Sequence, residues 1–166
     1  LSFGVNGKKI PPSLRNIYKE LCSEFDHHPE EFDYSLEHWA KQGVLMLNTA
    51  LTVTEKKPAS YAGMWDFLIR ATLQVVSWQS PHAIHVLWGK HAQGYSKYIT
   101  TAVLKAPHPA AESYSGGTAG FFGCGHFYEI NERLKQRGEQ PIDWFKLPES
   151  VSEQSQIDEY DDVVKS

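Results

Sequence analysis

The sequence predicts an α/β fold with a central, mostly parallel four-stranded sheet flanked by helices. Short apolar runs alternate along the chain with segments of helical periodicity, which is the pattern of a parallel sheet. The runs 44–47, 83–88 and 101–104 are almost continuously apolar, as is typical of strands buried on both faces. Each run is followed by a polar residue or a glycine, at the edge where open α/β sheets bind their ligands.

Length and charge indicate one folded body with a distinct tail. We place a single domain at 1–148 and an acidic tail, expected to be disordered, at 149–166. Six acids and one base give the tail a net charge of −5, and 14 acids and 15 bases leave the body at +1. A nucleic-acid surface would therefore be a local patch. Without an apolar run of roughly 18 residues or a signal peptide, we expect an intracellular protein with no membrane partner.

The cysteines and histidines do not form a recognisable metal-binding pattern. Cys22 and Cys124 are far apart and match no metal or redox spacing, so we expect free thiols. The eight histidines are scattered, and the adjacent His27 and His28 have no cysteine or carboxylate that completes a ligand set. The sequence therefore predicts no metal site.

Apolar residues at helical spacing fill the intervals between the apolar runs. Ser13 follows two prolines and suits either the N-cap of the first helix or a phosphate-binding helix N-terminus. Further helices are predicted at Leu36–Lys41, Trp65–Val76, His91–Tyr98 and Phe127–Leu134.

Polar groups at three strand ends are candidates for binding a ligand. Asn48 offers a donor and an acceptor side by side, although an asparagine there is usually a turn-former. Gly89 and Lys90 suit either the close approach of a phosphate or a plain turn. His108 is either a reactive side chain or a capping residue at the start of a long, glycine-containing loop. We expect these residues and Phe3 to gather at one edge of the sheet.

Six stretches of the sequence resemble the family 1 uracil-DNA glycosylases, in the order and spacing of that family. They cover roughly Leu1 to Leu147 and read LSFGV, IPPSLRNIYKEL, WAKQGVLMLNTALTV, HVLWGKHAQ, HP followed by GFFGCGHF, and PIDW. The resemblance implies hydrolysis of the N-glycosidic bond of uracil in single- and double-stranded DNA, with release of free uracil and without a cofactor. The target nucleotide would leave the stack and enter a pocket.

The resemblance also assigns roles to individual residues. Phe3 would stack on the flipped uracil, Asn48 would read its amide edge, and His108 would support O2 as negative charge develops on the departing base. Ser13 and Gly89 would bind phosphates. Lys90 stands where the family has a serine and would meet a phosphate as a point charge.

The loop after His108 departs from the family pattern. The family reads Ser-Pro-Leu-Ser, and its leucine wedges into the space left by the flipped base; this chain has Ala110, Ala111, Glu112 and Ser113. A carboxylate is a poor wedge between stacked bases. We expect Tyr114 to serve as the wedge, with Ser113 among the DNA-binding residues.

The family's water-activating segment, Gly-Gln-Asp-Pro-Tyr-His, does not occur in the 166 residues. We therefore expect this chain to be the carboxyl-terminal part of a longer, monomeric enzyme, with the first strand and the preceding helices absent. Nuclear or mitochondrial location is expected if the source is eukaryotic. Gln154, Ile157 and Tyr160 have the spacing of a sliding-clamp-binding box, but Asp161 stands where the second aromatic of such a box belongs, so a solvated acidic tail explains them better.

Two other classes of function remain open at the level of sequence. A non-catalytic DNA-binding or regulatory relative would keep the fold and lose the chemistry, and the altered wedge favours it. Retention of Phe3, Asn48 and His108 favours the enzyme, because a protein that only binds DNA has little use for all three. A generic small-molecule-binding α/β domain is the third alternative.

Overall fold

The computed structural model describes residues 10–47 and 62–146, with side chains from residue 65 onward in the second range. Two parallel strands and six α-helices make up this part of the chain, with a short 3₁₀ helix at Gly94–Tyr98. The elements are, in order, α1 Pro12–Phe25, α2 Glu37–Lys41, α3 Ala62–Gln79, β1 Ile84–Trp88, α4 Lys90–Gln93, β2 Ala102–Ala106, α5 Ala111–Ser115 and α6 His126–Gln136.

The strands β1 and β2 form a parallel sheet, which confirms the predicted α/β class. Their register pairs Ile84 with Ala102 and Trp88 with Ala106. Parallel strands need a crossover, and here α4 and the 3₁₀ helix provide it in the segment predicted as one helix. Both strands therefore end at the same edge of the sheet.

The predicted strand at 44–47 is wrong for the residues that the structure describes. Val44 and Met46 pack against the core, whereas Leu45 and Leu47 are 63% and 38% exposed. The apolar pattern predicted burial on both faces, but strand structure also requires a neighbouring strand. No ladder partner for this run lies within 10–47 or 62–146. The described ranges therefore contain two strands of the four-stranded sheet that was predicted.

An aromatic core joins α1, α2, α6 and the segment after α6. Trp39 of α2 is 1% exposed and packs against Phe127 and Trp144, with ring centroids 5.8 and 5.1 Å away. The indole N–H of Trp39 donates to the carbonyl oxygen of Trp144 at 3.0 Å. The Trp39–Trp144 contact is edge-to-face, a geometry that adds to the free energy gained by burying the rings. Trp39 thus lies inside this core.

The helix α1 begins two residues earlier than an N-cap at Ser13 would predict. Pro12 is its first residue and Pro11 is the N-cap, whose carbonyl oxygen accepts from the N–H of Arg15 at 3.2 Å. The assignment of Ser13 as N-cap is therefore wrong. Proline fits the first helical position because it lacks an N–H group that would have no intrahelical partner there.

Two carboxylates of α1 bind the N-terminal region of α6. Glu20, which is 1% exposed, accepts from the N–H groups of Gly123 and Gly125 at 2.8 and 3.3 Å. Glu24 accepts from the N–H of Tyr128 at 2.6 Å, and its other oxygen is buried. Burial, together with the neighbouring Glu20 carboxylate, raises the pKa of the Glu24 carboxyl to about 7.

We expect Glu24→Gln to stabilise the protein at pH 8 and to have little effect near pH 5. A carboxyl whose pKa is raised on folding contributes stability below its unfolded pKa of about 4.3, and loses it as pH rises through the folded pKa near 7. The amide cannot ionise, so the variant should gain on the order of 1 kcal/mol at pH 8. Urea unfolding at both pH values measures this. A larger gain at pH 5 than at pH 8 would contradict the assignment.

The cysteines are free thiols, as predicted. Cys124 lies between the two glycines whose N–H groups bind Glu20, and burial raises the pKa of its thiol to about 12. A thiol with such a pKa is a poor nucleophile at neutral pH. Cys22 is buried in α1.

The long helix α3 packs through a small separate cluster of Ile69, Leu73 and Tyr95. Its other face carries Phe67 and Trp78, which are 70% and 81% exposed. Despite this apolar character, none of the helices in the described ranges is both long and apolar enough to cross a membrane.

Candidate active site

The carboxyl edge of the two-stranded sheet brings together Gly89 and His108. Gly89 directly follows β1, and its N–H donates to the carbonyl oxygen of Ala106, the last residue of β2, at 2.9 Å. The side-chain amide of Gln93 donates to the same oxygen, also at 2.9 Å. These bonds hold the chain after β1 against the end of β2, two residues before His108. The predicted convergence at this edge is confirmed for these two positions.

Only glycine fits at position 89. Its φ of 89° and ψ of 157° lie in a region that residues with a side chain avoid. A Cβ built there would lie 3.1 Å from Cβ of His108, closer than ordinary van der Waals contact. Gly89 thus allows the backbone to pass close beside His108.

The imidazole of His108 is held in one orientation. Its Nδ1 accepts a hydrogen bond from the backbone N–H of Ala110 at 3.1 Å. Partial burial lowers the pKa of His108 below its usual range, which favours the neutral ring at pH 7. Because Nδ1 is an acceptor, the proton of the neutral ring is on Nε2. The ring therefore has an Nε2–H donor without a buried positive charge.

The loop after His108 contains a short helix, α5, that the sequence did not predict. Asn16 of α1 is 5% exposed, and its amide donates to the carbonyl oxygen of Pro109 and to Oγ of Ser113, both at 2.9 Å. One side chain of α1 thus binds the chain just before α5 and the middle of α5 itself. Asn16 is a supporting residue that the sequence analysis did not identify.

Glu112 is buried inside this loop and is not a surface residue. The side chain is 3% exposed, and its oxygens accept from the backbone N–H groups of Ala119, Phe121 and Phe122. Burial alone would raise the pKa of the carboxyl, but these N–H groups and that of Gly120 lower it below its usual value. The carboxylate therefore stays ionised and links α5 to the far side of the loop.

The other candidate residues lie on α1, α4 and α5 or outside the described ranges. Tyr114 is 87% exposed on α5. Lys90 is exposed at the start of α4, and Ser13 is half-buried in the first turn of α1, one turn before Asn16. Two of the three uracil-binding candidates, Phe3 and Asn48, lie outside the described residues, as does the clamp-box candidate Gln154, Ile157 and Tyr160.

Comparison with known proteins agrees with the resemblance found in the sequence. The profile described as the uracil DNA glycosylase superfamily matches residues 5–135. The uracil-DNA glycosylase of Pseudomonas fluorescens (strain Pf-5) is 45% identical over 153 residues, 89% of this chain and 64% of that protein. The uracil-DNA glycosylase of Agrobacterium fabrum is 43% identical over 156 residues, 91% of this chain and 63% of that protein. The chain thus spans somewhat less than two thirds of these relatives' length.

Solved structures of one viral enzyme have the same fold. The crystal structure of mimivirus uracil-DNA glycosylase superposes with a TM-score of 0.74 at 28% identity, covering 86% of this chain and 58% of that chain. A variant of the mimivirus enzyme in complex with UGI gives a TM-score of 0.75 at 27% identity, covering 88% and 60%. Together with the profile match over most of the sequence, these likenesses show that the chain belongs to the uracil DNA glycosylase superfamily.

Proposed function

We propose that the complete gene product is a family 1-type uracil-DNA glycosylase that hydrolyses the N-glycosidic bond of uracil in DNA and so starts base excision repair. The observation that carries this proposal is the orientation of His108. Its Nδ1 is occupied by the N–H of Ala110, and its Nε2–H is a neutral donor at the carboxyl edge of the sheet. This edge is where α/β sheets bind their ligands.

The donor suits the charge that develops in the reaction. Uracil departs as an anion, so a fixed hydrogen bond to O2 stabilises the transition state more than the substrate. A neutral imidazole supplies this bond without the cost of burying a cation. Phe3 and Asn48 would stack on the base and read its amide edge, as the resemblance implies. No step of this mechanism needs a cofactor.

The surroundings of His108 offer groups for the DNA backbone. Gly89 lets a phosphate approach the start of α4 closely, and the exposed Lys90 adds a positive charge next to it. Ser13 in the first turn of α1 is the third phosphate-binding candidate, and Ser113 is the fourth. The body of the protein is almost neutral, so this local arrangement carries the DNA affinity.

The partners in this proposal are uracil-containing DNA and free uracil as product. A separate proposal is that a sliding clamp binds the chain through Gln154, Ile157 and Tyr160. The two sequence relatives named above, at 45% and 43% identity, come from bacteria, which points away from a nuclear or mitochondrial location.

The proposal is tested by uracil release from a uracil-containing single-stranded oligonucleotide. We expect the complete gene product to release uracil and the variant Asn48→Ala to release far less, because the paired hydrogen bonds to the base are lost. A matched oligonucleotide with thymine in place of uracil serves as the substrate control. DNA binding without uracil release would instead favour the non-catalytic relative.

We also propose that Tyr114 is the wedge that fills the space left by the flipped base. It is a large side chain, 87% exposed, on the short helix beside His108. We expect Tyr114→Ala to lower uracil release from duplex DNA by about 10-fold, because inserted aromatic side chains stabilise unstacked steps. Release from single-stranded DNA should change little. Equal losses on both substrates would contradict the wedge role.

A further inference from the structure

The loop that carries Tyr114 is closed from inside by a buried carboxylate. Glu112 is 3% exposed, and its oxygens accept from the N–H groups of Ala119 and Phe122 at 2.9 Å, and also from that of Phe121. Phe121 is itself fully buried in the main core. The carboxylate therefore ties α5 to a segment anchored in the core of the protein.

A second attachment holds α5 from the opposite direction. Asn16 binds the carbonyl oxygen of Pro109 before the helix and Oγ of Ser113 within it. The helix ends at Gly116, with a φ of 66°, and the N–H of Gly117 donates to the carbonyl oxygen of Glu112 at 3.0 Å. A five-residue helix has little stability of its own, so its position depends on these attachments.

We propose that Glu112 is a positioning residue that fixes α5 so that Tyr114 can act as a wedge in duplex DNA. The inference rests on the proposed glycosylase function. In the family that this chain resembles, the position of Glu112 holds the leucine wedge itself. In this chain the side chain of Glu112 is buried inside the loop, and the exposed ring of Tyr114 follows two residues later.

A wedge must be mechanically supported because the separated bases tend to restack. Tyr114 lies on α5, and this helix would move under the force of the restacking bases if the loop could open between α5 and Ala119. The hydrogen bonds to the Glu112 carboxylate close that opening. The N–H of Ala110, which binds Nδ1 of His108, precedes the first residue of α5 and follows Pro109, whose carbonyl oxygen is bound by Asn16. Loss of the Glu112 contacts should therefore leave the chemical step intact.

The test compares Glu112→Gln with wild type in the complete gene product, on single-stranded and duplex uracil oligonucleotides of the same sequence. The glutamine amide has the same shape as the carboxylate. Its NH₂ group cannot accept a hydrogen bond, so the backbone N–H groups on that side lose their acceptor. We expect the ratio of duplex to single-stranded kcat/KM to fall by about 10-fold, as for Tyr114→Ala, and the double variant to lose no more than Tyr114→Ala alone. Glu132→Gln, which removes a half-exposed carboxylate of α6 that pairs with Lys135, is the matched control and should leave the ratio unchanged.

Two results would overturn the inference: an unchanged ratio, which includes equal losses on both substrates, or additive losses in the double variant. If Glu112→Gln does not fold, Glu112→Asp, which keeps the charge on a shorter side chain, is judged by the same ratio. Wild-type protein that releases uracil from neither substrate would overturn the proposed function and this inference with it. Wild-type activity together with an unchanged Glu112→Gln ratio would overturn the inference alone.

Discussion

Replacing His108 by alanine should reduce the kcat of uracil release by roughly 10²- to 10³-fold, the usual loss for one preorganised donor to a developing anion. The effect should be similar on single-stranded and duplex DNA, because the donor acts on the leaving base and not on the helix. Release of uracil at saturating oligonucleotide concentration measures it. A rise in KM alone, with kcat unchanged, would show that His108 binds the substrate and the transition state equally and does not lower the barrier.

The control for this variant is His82→Ala. His82 is exposed in the turn before β1, and its carbonyl oxygen, which the substitution keeps, accepts from Arg137. We expect kcat to stay within about twofold of wild type, since removal of an exposed side chain away from the site rarely matters. A comparable loss in both variants would point to a general effect on folding.

Replacing Gly89 by alanine should lower both stability and activity. The backbone at this position, with φ 89° and ψ 157°, costs about 1–3 kcal/mol for a residue with a side chain. The added methyl group would also lie 3.1 Å from Cβ of His108 and push the imidazole from its position. Since small displacements of a catalytic group are costly, we expect a 10- to 100-fold loss in kcat, on the order of the known effect of a 1 Å error.

Gly43→Ala separates the two effects. Gly43 has a similar φ of 92°, but a Cβ there has no atom within 4 Å. This variant should lose stability, measured by urea unfolding, and keep its kcat. If Gly43→Ala lost as much activity as Gly89→Ala, the loss would come from backbone strain and not from contact with His108.

The strands and the edge of the sheet could be predicted because their signals are local. The apolar runs near β1 and β2 are bounded by Gly89 and by the proline before His108, so both the elements and the residues at their ends followed from the sequence. The run at 44–47 has the same composition but no ladder partner among the described residues. Composition alone does not distinguish these two cases.

The supports of the site could not be predicted because their contacts are distant or involve the backbone. Asn16 binds Pro109 and Ser113, which are 93 and 97 residues away along the chain. Glu112 binds N–H groups, which every residue except proline possesses, so its partners have no sequence signature. Glu112 was consequently interpreted only as an unsuitable wedge, and its burial was not foreseen.

The most direct test of the account is the protonation state of His108, measured by nitrogen-15 NMR on the complete gene product. We predict a neutral ring with the proton on Nε2 at pH 7, and a pKa below the usual value of about 6.5. His108→Ala identifies the resonance. A ring protonated on both nitrogens at pH 7, or a neutral ring with its proton on Nδ1, would contradict the neutral Nε2–H donor on which the proposed mechanism depends.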